Sequence, residues 1–255
     1  MTMLHESFRL NAIPIDFRDG FELLAHVLSE IAADNLLSVS AFGAWLVDDP
    51  LYAREPAGSV LVLRSLDLSL LDRLARHGAR LGQLKLQAPL IMTPEYVHAS
   101  CDTFPLELLE IQQLHEPLLG EDHFAACRFE PRDLRLQCER ELKRELIQLR
   151  QGLLAAAGKR RALDEVCRAS ARRTMRILRG LLRLGGQAKA PERSAALVTA
   201  ARKSSGVRLD ELHEVVTGAE HIGFEGFERF YREIESLAAC ADRLPTGTRS
   251  GSEES

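Results

Sequence analysis

The side chains best suited to catalysis or metal binding are scattered along the chain. The eight histidines never stand four residues apart, which is the spacing of a helical metal pair. The cysteines are odd in number, with successive gaps of 26, 11, 29 and 73 residues: Cys101, Cys127, Cys138, Cys167 and Cys240. This pattern fits neither a zinc site nor a disulfide framework, so we expect cytosolic thiols that mostly act as small buried apolar groups.

Carboxylates are the remaining candidates for catalysis, because the sequence has no phosphate-binding loop, dinucleotide fingerprint, zinc-protease motif or nucleophile elbow. Asp102 and Glu107 are the two weak candidates. Glu107 lies in an apolar run, where a carboxylate is buried, paired or catalytic. We favour pairing with an arginine of the basic helices. We expect Asp48 and Asp49 to cap a turn before Pro50.

Five arginines follow one side of a predicted helix, with spacings of four, four, three and four: Arg168, Arg172, Arg176, Arg179 and Arg183. Like charges repel, so this arginine row needs a counter-charge. Bound phosphate would supply it, since a guanidinium fork matches phosphate oxygens. Acidic residues of the N-terminal part are the alternative that we favour.

The arginine row belongs to a basic block over 132–183, which has 15 Lys and Arg against 6 Asp and Glu. Such a block can attract nucleic acid. It lacks the interleaved aromatic residues of single-strand binders, so we do not expect nucleic acid as the main partner.

The composition is that of a folded globular protein. Of 255 residues, 45% are hydrophobic and 27% are charged, and the formal net charge is −4. The longest nearly uncharged stretch, 35–47, is shorter than the roughly 20 residues of a membrane-spanning helix. The segment 1–16 does not read as a secretory signal. We expect a cytoplasmic protein without a membrane partner.

Hydrophobic periodicity predicts strands only in the first half of the chain. The predicted strands are 36–42, 60–63 and 88–92, with a fourth strand or extended segment at 104–112, and the predicted helices are 17–33, 67–84 and 94–99. The second half predicts helices over 132–157 and 163–184, one ending near 203, and two more over 209–216 and 224–244.

This order of elements predicts an α+β fold: a small mixed sheet with covering helices, followed by an α-helical bundle. We place the sheet domain at 1–130, the bundle at 131–244 and a disordered tail at 245–255.

The predicted strand 36–42 ends at Gly43, an insertion follows, and the strand 60–63 comes next. This order resembles the opening of the minimal nucleotidyltransferase domain of antibiotic-modifying and antitoxin-type enzymes. Further blocks are similar to bacterial proteins that join such a domain to a helical C-terminal partner: Leu90–Tyr96, Asp102–Ile111, Leu119–Asp122, Leu134–Leu142 and Leu149–Leu154. The resemblance covers about 17–244.

The chain departs from this family at the residues that matter most for catalysis. In the family the first strand ends in Gly-Ser, and the next strand carries two acidic residues, one apart, that hold magnesium ions. Here Ala44 follows Gly43, and no Asp or Glu occurs between Glu55 and Asp67. Metal-dependent transfer needs such carboxylates to hold Mg²⁺ against the triphosphate. The departure therefore predicts a pseudoenzyme.

The resemblance also places a nucleotide site between the sheet and the helical domain. Its candidate residues are Gly43, Ser59, Arg172, Arg176 and Arg179, which could hold phosphate without metal. For Gly43 a tight turn from strand to loop is the alternative that we favour.

Three functions stay open at this point. The first is a degenerate protein that binds a nucleotide or a protein partner. The second is an active nucleotidyltransferase on a small-molecule or protein acceptor, with Mg²⁺ and a nucleoside triphosphate as cofactors. The third is a nucleic-acid binder that uses the arginine row. The sequence does not decide whether the protein is an enzyme.

Overall fold

The computed structural model describes residues 8–32, 34–218 and 222–244, and it divides into two compact units. Unit 1 comprises the described residues up to Cys101 together with Glu110–Cys127. Unit 2 comprises Asp102–Leu109 together with the described residues from Arg128 onward. The predicted tail at 245–255 lies outside the described residues.

Unit 1 contains a mixed sheet of four strands. They are β1 (Leu36–Phe42), β2 (Gly58–Leu63), β3 (Leu90–Met92) and β4 (His115–Gly120), in the order β3-β2-β1-β4. β1 runs antiparallel to β2 and β4, and β2 runs parallel to β3. The helices of this unit are α1 (Ile15–Ile31), α2 (Leu68–Ala75), α3 (Gly78–Gln83) and α4 (Pro94–Ala99).

The core of unit 1 lies between α1 and one face of the sheet. Phe21, Leu24 and Leu28 recur every three to four residues, so they share one side of α1. Val39 and Leu61 belong to the same buried cluster and come from neighbouring strands, where they are register partners. The apolar side of α1 and the apolar side chains of β1 and β2 therefore belong to one buried layer.

The predicted helix 67–84 is interrupted. Asp67 caps α2, and its side chain accepts a hydrogen bond from the Ser69 N–H at 2.9 Å. The helix stops at a tight turn, in which the His77 N–H donates to the Leu74 carbonyl. Gly78 then begins α3. Glycine lowers helix propensity, which weakens a continuous helix at this point.

The prediction of a strand or extended segment over 104–112 is wrong. Residues Pro105–Gln113 form a helix, α5, and β4 begins only at His115. A continuous apolar run is typical of a buried strand and equally of a helix buried on several sides. Leu106, Leu108 and Leu109 are each at most 1% exposed, so α5 is the second case.

Unit 2 is a set of helices, and with the sheet of unit 1 it confirms the α+β class. The helices after α5 are α6 (Pro131–Ala156), α7 (Arg160–Leu184), α8 (Ser194–Ser205), α9 (Asp210–Thr217) and α10 (Gly223–Arg243). α6 and α7 pack along each other, and α10 packs against both. A Cβ at Gly180 would lie 2.7 Å from the Cys138 Sγ, so glycine permits this close helix packing.

The thiols behave mostly as the sequence predicts. All five cysteines are free, and Cys127, Cys138 and Cys167 are buried. Burial raises the pKa of Cys138, and it raises the pKa of Cys167 to about 12. In the described part of the chain, no helix is both long and apolar enough to cross a membrane.

Candidate functional site

β1 ends in a tight turn at Gly43 that is held by hydrogen bonds. This residue has a φ of +114°, a conformation that glycine adopts and other residues rarely do. Its N–H donates to the Leu114 carbonyl at 2.8 Å, and its carbonyl accepts from the Leu46 N–H at 3.1 Å. The Trp45 Nε1–H donates to the Phe42 carbonyl at 2.7 Å. The segment is thus a tight turn, and the Gly43 N–H is already bonded within the chain.

The strand that follows this turn presents no carboxylate. Every residue of β2 is buried, and the preceding Ala57 is 0% exposed. Ser59 pairs with Ala41 in the sheet and is 1% exposed. Its hydroxyl has no hydrogen-bond partner among the described residues. These positions are where the family resemblance would place the metal-holding pair, and they are closed and apolar apart from this one hydroxyl.

A cleft of about 600 Å³ opens beside the turn, within unit 1. Trp45 lines it and packs on Phe17, with ring centroids 4.8 Å apart. Four carboxylates also line the cleft: Asp16, Asp48, Asp49 and Glu55. The Asp49 carboxylate accepts from the Leu51 N–H at 3.0 Å, which confirms that it caps the turn at Pro50.

The acids of the cleft do not form a metal site. Across residues 8–32, 34–218 and 222–244, no three His, Cys, Asp or Glu side chains are grouped so that they could hold a metal ion. The residues present therefore do not fit the Mg²⁺ that the resemblance implies.

The two weak catalytic candidates have separate surroundings in unit 2. Asp102 is exposed and accepts a hydrogen bond from the Thr103 hydroxyl at 2.9 Å. Glu107 lies on α5, and its Oε1 is 3.3 Å from the Arg176 Nη1. Its Oε2 accepts from the Gln137 Nε2 at 2.6 Å. The expected pairing of Glu107 with an arginine of the basic helices is confirmed.

Four members of the arginine row have a partner within unit 2: Arg168, Arg176, Arg179 and Arg183. Arg179 is 2% exposed, and its guanidinium donates to the carbonyls of Pro191 and Glu192 at 2.7 and 2.8 Å. Arg168 lies 3.1 Å from the Glu165 carboxylate on the same helix. Arg172 is half-buried. The Glu165 carboxylate therefore supplies counter-charge to Arg168, and backbone carbonyls accept hydrogen bonds from Arg179 that phosphate would otherwise accept.

An ion pair with a two-point contact lies outside the arginine row. Arg173 donates twice to the Glu145 carboxylate, with both distances 2.7 Å, and Glu145 is 2% exposed. This two-point contact raises the pKa of Arg173.

A second group of arginines was not singled out by the sequence analysis. Arg208, Arg229, Arg232 and Arg243 line a groove of about 550 Å³ in unit 2. The signal available in the sequence was weak, because Arg208 is 35 positions from Arg243 and neither lies in the basic block. The spacing of the three arginines of α10 places them on one side of that helix.

Neither the comparison with protein-family models nor the search of curated proteins finds a match to this chain.

Proposed function

We propose that this protein is a nucleotidyltransferase-like protein that has lost metal-dependent transfer and acts as a nucleotide-binding or regulatory partner. The observation that carries the proposal is the composition and burial of β2. Where transfer chemistry needs two carboxylates, the chain has Gly58, Ser59, Val60 and Leu61, of which the last three are at most 1% exposed.

The arrangement of unit 1 supports the resemblance on which this proposal rests. Helix α1 precedes β1, a glycine turn ends β1, and β2 returns antiparallel beside it. This is the order of elements that the resemblance implies. Because the resemblance is to bacterial proteins, we also propose a bacterial origin. The five free thiols support a reducing compartment such as the cytoplasm.

The two other functions have less support. An active enzyme would need metal ligands elsewhere, and Glu107 is already bonded to Arg176 and Gln137. A nucleic-acid binder would need the arginine row exposed, whereas Arg179 is buried. Direct binding of nucleotide phosphate by Arg176 and Arg179 also has less support, because Arg176 pairs with Glu107 and Arg179 is buried.

The test is a pair of calorimetric titrations of ATP and GTP into the purified protein, one with Mg²⁺ and one with EDTA. Blank titrations without protein correct for binding of Mg²⁺ by the nucleotide itself. We expect the two affinities to agree, because β2 carries no carboxylate that could hold a bridging metal. Binding in neither buffer would remove the nucleotide-binding role and leave the role of a protein partner.

Transfer itself is measured by pyrophosphate release from ATP with Mg²⁺ or Mn²⁺. We expect no release above the buffer blank. Binding that requires Mg²⁺, or metal-dependent release that Asp102→Asn or Glu107→Gln abolishes in a folded protein, would overturn the proposal in favour of an active enzyme.

A further inference from the structure

The groove introduced above, here called the arginine groove, lies entirely within unit 2. One wall is the side of α10 that carries Arg229, Arg232 and Arg243, and the other contains Arg208 and the start of α9. All four arginines are exposed. Its volume of about 550 Å³ is within the range of small-molecule sites.

The carboxylates that line the arginine groove are already neutralised. Asp210 lies 2.7 Å from the Arg202 Nη1, and Glu211 pairs with Arg229. The Glu233 carboxylate accepts from the N–H groups of Glu211 and Leu212, both at 2.9 Å. Glu233 therefore occupies the N-terminus of α9, and its charge is directed at that helix.

Two arginines of the arginine groove have no ion-pair partner among the described residues. Arg232 lies 2.5 Å from Glu228 on the same helix. Arg208 and Arg243 make no ion pair or side-chain hydrogen bond within the part of the chain that the structure describes. They come from different elements and line the same groove, so two guanidinium groups are available to one ligand.

We propose that the arginine groove binds a phosphate-bearing small molecule, with Arg208 and Arg243 as the residues that contact the phosphate. A guanidinium group donates two parallel hydrogen bonds to phosphate oxygens, and two such groups match the charge of a phosphate dianion. Val207 and Ala239 add apolar surface to the lining, which suits an organic phosphate. We expect binding without Mg²⁺, because the guanidinium groups supply the positive charge that the metal ion would otherwise supply.

The experiment is a calorimetric titration of pyrophosphate and of ATP into the full chain, at low salt with EDTA. We expect both to bind, and we expect Arg208→Ala and Arg243→Ala each to weaken binding by about tenfold. Arg161→Ala is the matched control, because Arg161 is also an exposed arginine but does not line the groove. A variant with Arg161 replaced should bind as the parent does.

A second measurement avoids substitutions. Phenylglyoxal modifies accessible arginines, and peptide mass spectrometry reports which ones react. We expect pyrophosphate to protect Arg208 and Arg243 and to leave Arg161 reactive. Absence of binding, equal losses in all three variants, or equal protection of Arg161 would overturn the proposal.

The outcome is separable from that of the proposed function. Nucleotide binding that persists in EDTA and falls in the groove variants supports the arginine groove and leaves the loss of metal-dependent transfer intact. Binding that requires Mg²⁺ overturns the proposed loss of metal-dependent transfer. Binding that is unchanged in the groove variants overturns the proposed role of the arginine groove.

Discussion

The side-chain amide of Gln137 holds the carboxylate of Glu107, with 2.6 Å between the Gln137 Nε2 and the Glu107 Oε2. The other end of the same amide accepts the Leu106 N–H at 2.7 Å. Gln137 is 6% exposed; its hydrogen bond with the Leu106 N–H is buried, and its hydrogen bond with Glu107 is partly buried. One glutamine of α6 thereby positions two consecutive residues in the first turn of α5, and Arg176 contacts the remaining oxygen of Glu107.

The first prediction concerns Gln137→Glu, with Gln137→Met as its control. At pH 7.5 we expect both variants to lose about 1–3 kcal/mol of unfolding free energy. Gln137→Glu removes the donor to the Glu107 carboxylate, and Gln137→Met removes this donor and also the acceptor of the Leu106 N–H. The new carboxylate of Gln137→Glu also faces that of Glu107. Protonation at pH 5 lets it donate as the amide did, so part of its loss should be recovered.

Urea unfolding followed by circular dichroism at both pH values measures this. The loss in Gln137→Met should be nearly the same at the two pH values. A loss in Gln137→Glu that does not shrink at pH 5 would contradict the assigned donor and acceptor.

The second prediction compares two glycines with nearly the same backbone angle. Gly120 has a φ of +74° and Gly158 a φ of +77°. A Cβ at Gly120 would lie 2.0 Å from the Leu37 carbonyl oxygen, whereas a Cβ at Gly158 would meet no atom within 4 Å. We expect Gly158→Ala to cost about 1–2 kcal/mol from the backbone angle alone. Gly120→Ala should cost about 1–3 kcal/mol more, because β1 and β4 must separate.

Chemical unfolding of the two variants and the parent gives the difference. Equal losses at the two positions would mean that the close approach between Gly120 and Leu37 does not contribute.

The third prediction is the pH dependence of Glu233. Burial raises the pKa of this carboxyl above its ordinary value of 4.5, although two backbone N–H groups favour the charged form. Between 4.5 and the raised pKa, the folded chain keeps a proton that the unfolded chain has released. The contribution of Glu233 to stability therefore falls as pH rises through this window.

Glu233→Gln is the matched variant, since glutamine does not titrate and still offers an oxygen to the α9 amides. The unfolding free energy of the parent minus that of Glu233→Gln should decrease from pH 4 to pH 7. A difference that stays constant or increases over this range would show that the amide hydrogen bonds outweigh burial.

Some elements could be predicted well because the signal is local. The strand 36–42 has the predicted bounds, since its apolar run ends at Gly43, whose positive φ begins a turn. The helices over 132–157 and 163–184 agree with α6 and α7 to within a few residues at each end, because each carries a long apolar stripe. The start of the helix predicted over 67–84 agrees with α2, which Asp67 caps and which begins at Leu68.

Other features depend on residues that are distant along the chain. The carbonyls that accept hydrogen bonds from Arg179 belong to Pro191 and Glu192, and a backbone acceptor has no signature in residue type. The run 104–112 is compatible with strand and helix alike, and only burial on several sides decides for α5. The arginine groove combines Arg208 with Arg243, which the sequence separates by most of two helices.

The sequence alone thus determined the types of most elements, the α+β class and the lack of carboxylates on β2, because these follow from local periodicity and residue type. Only the tertiary structure decided which charged side chains are paired and which remain available to a ligand. It pairs Glu107 with Arg176 and leaves Arg208 and Arg243 without partners among the described residues. The physical reason is that the strength of an ion pair depends on distance and burial, which folding sets between residues that the sequence keeps apart.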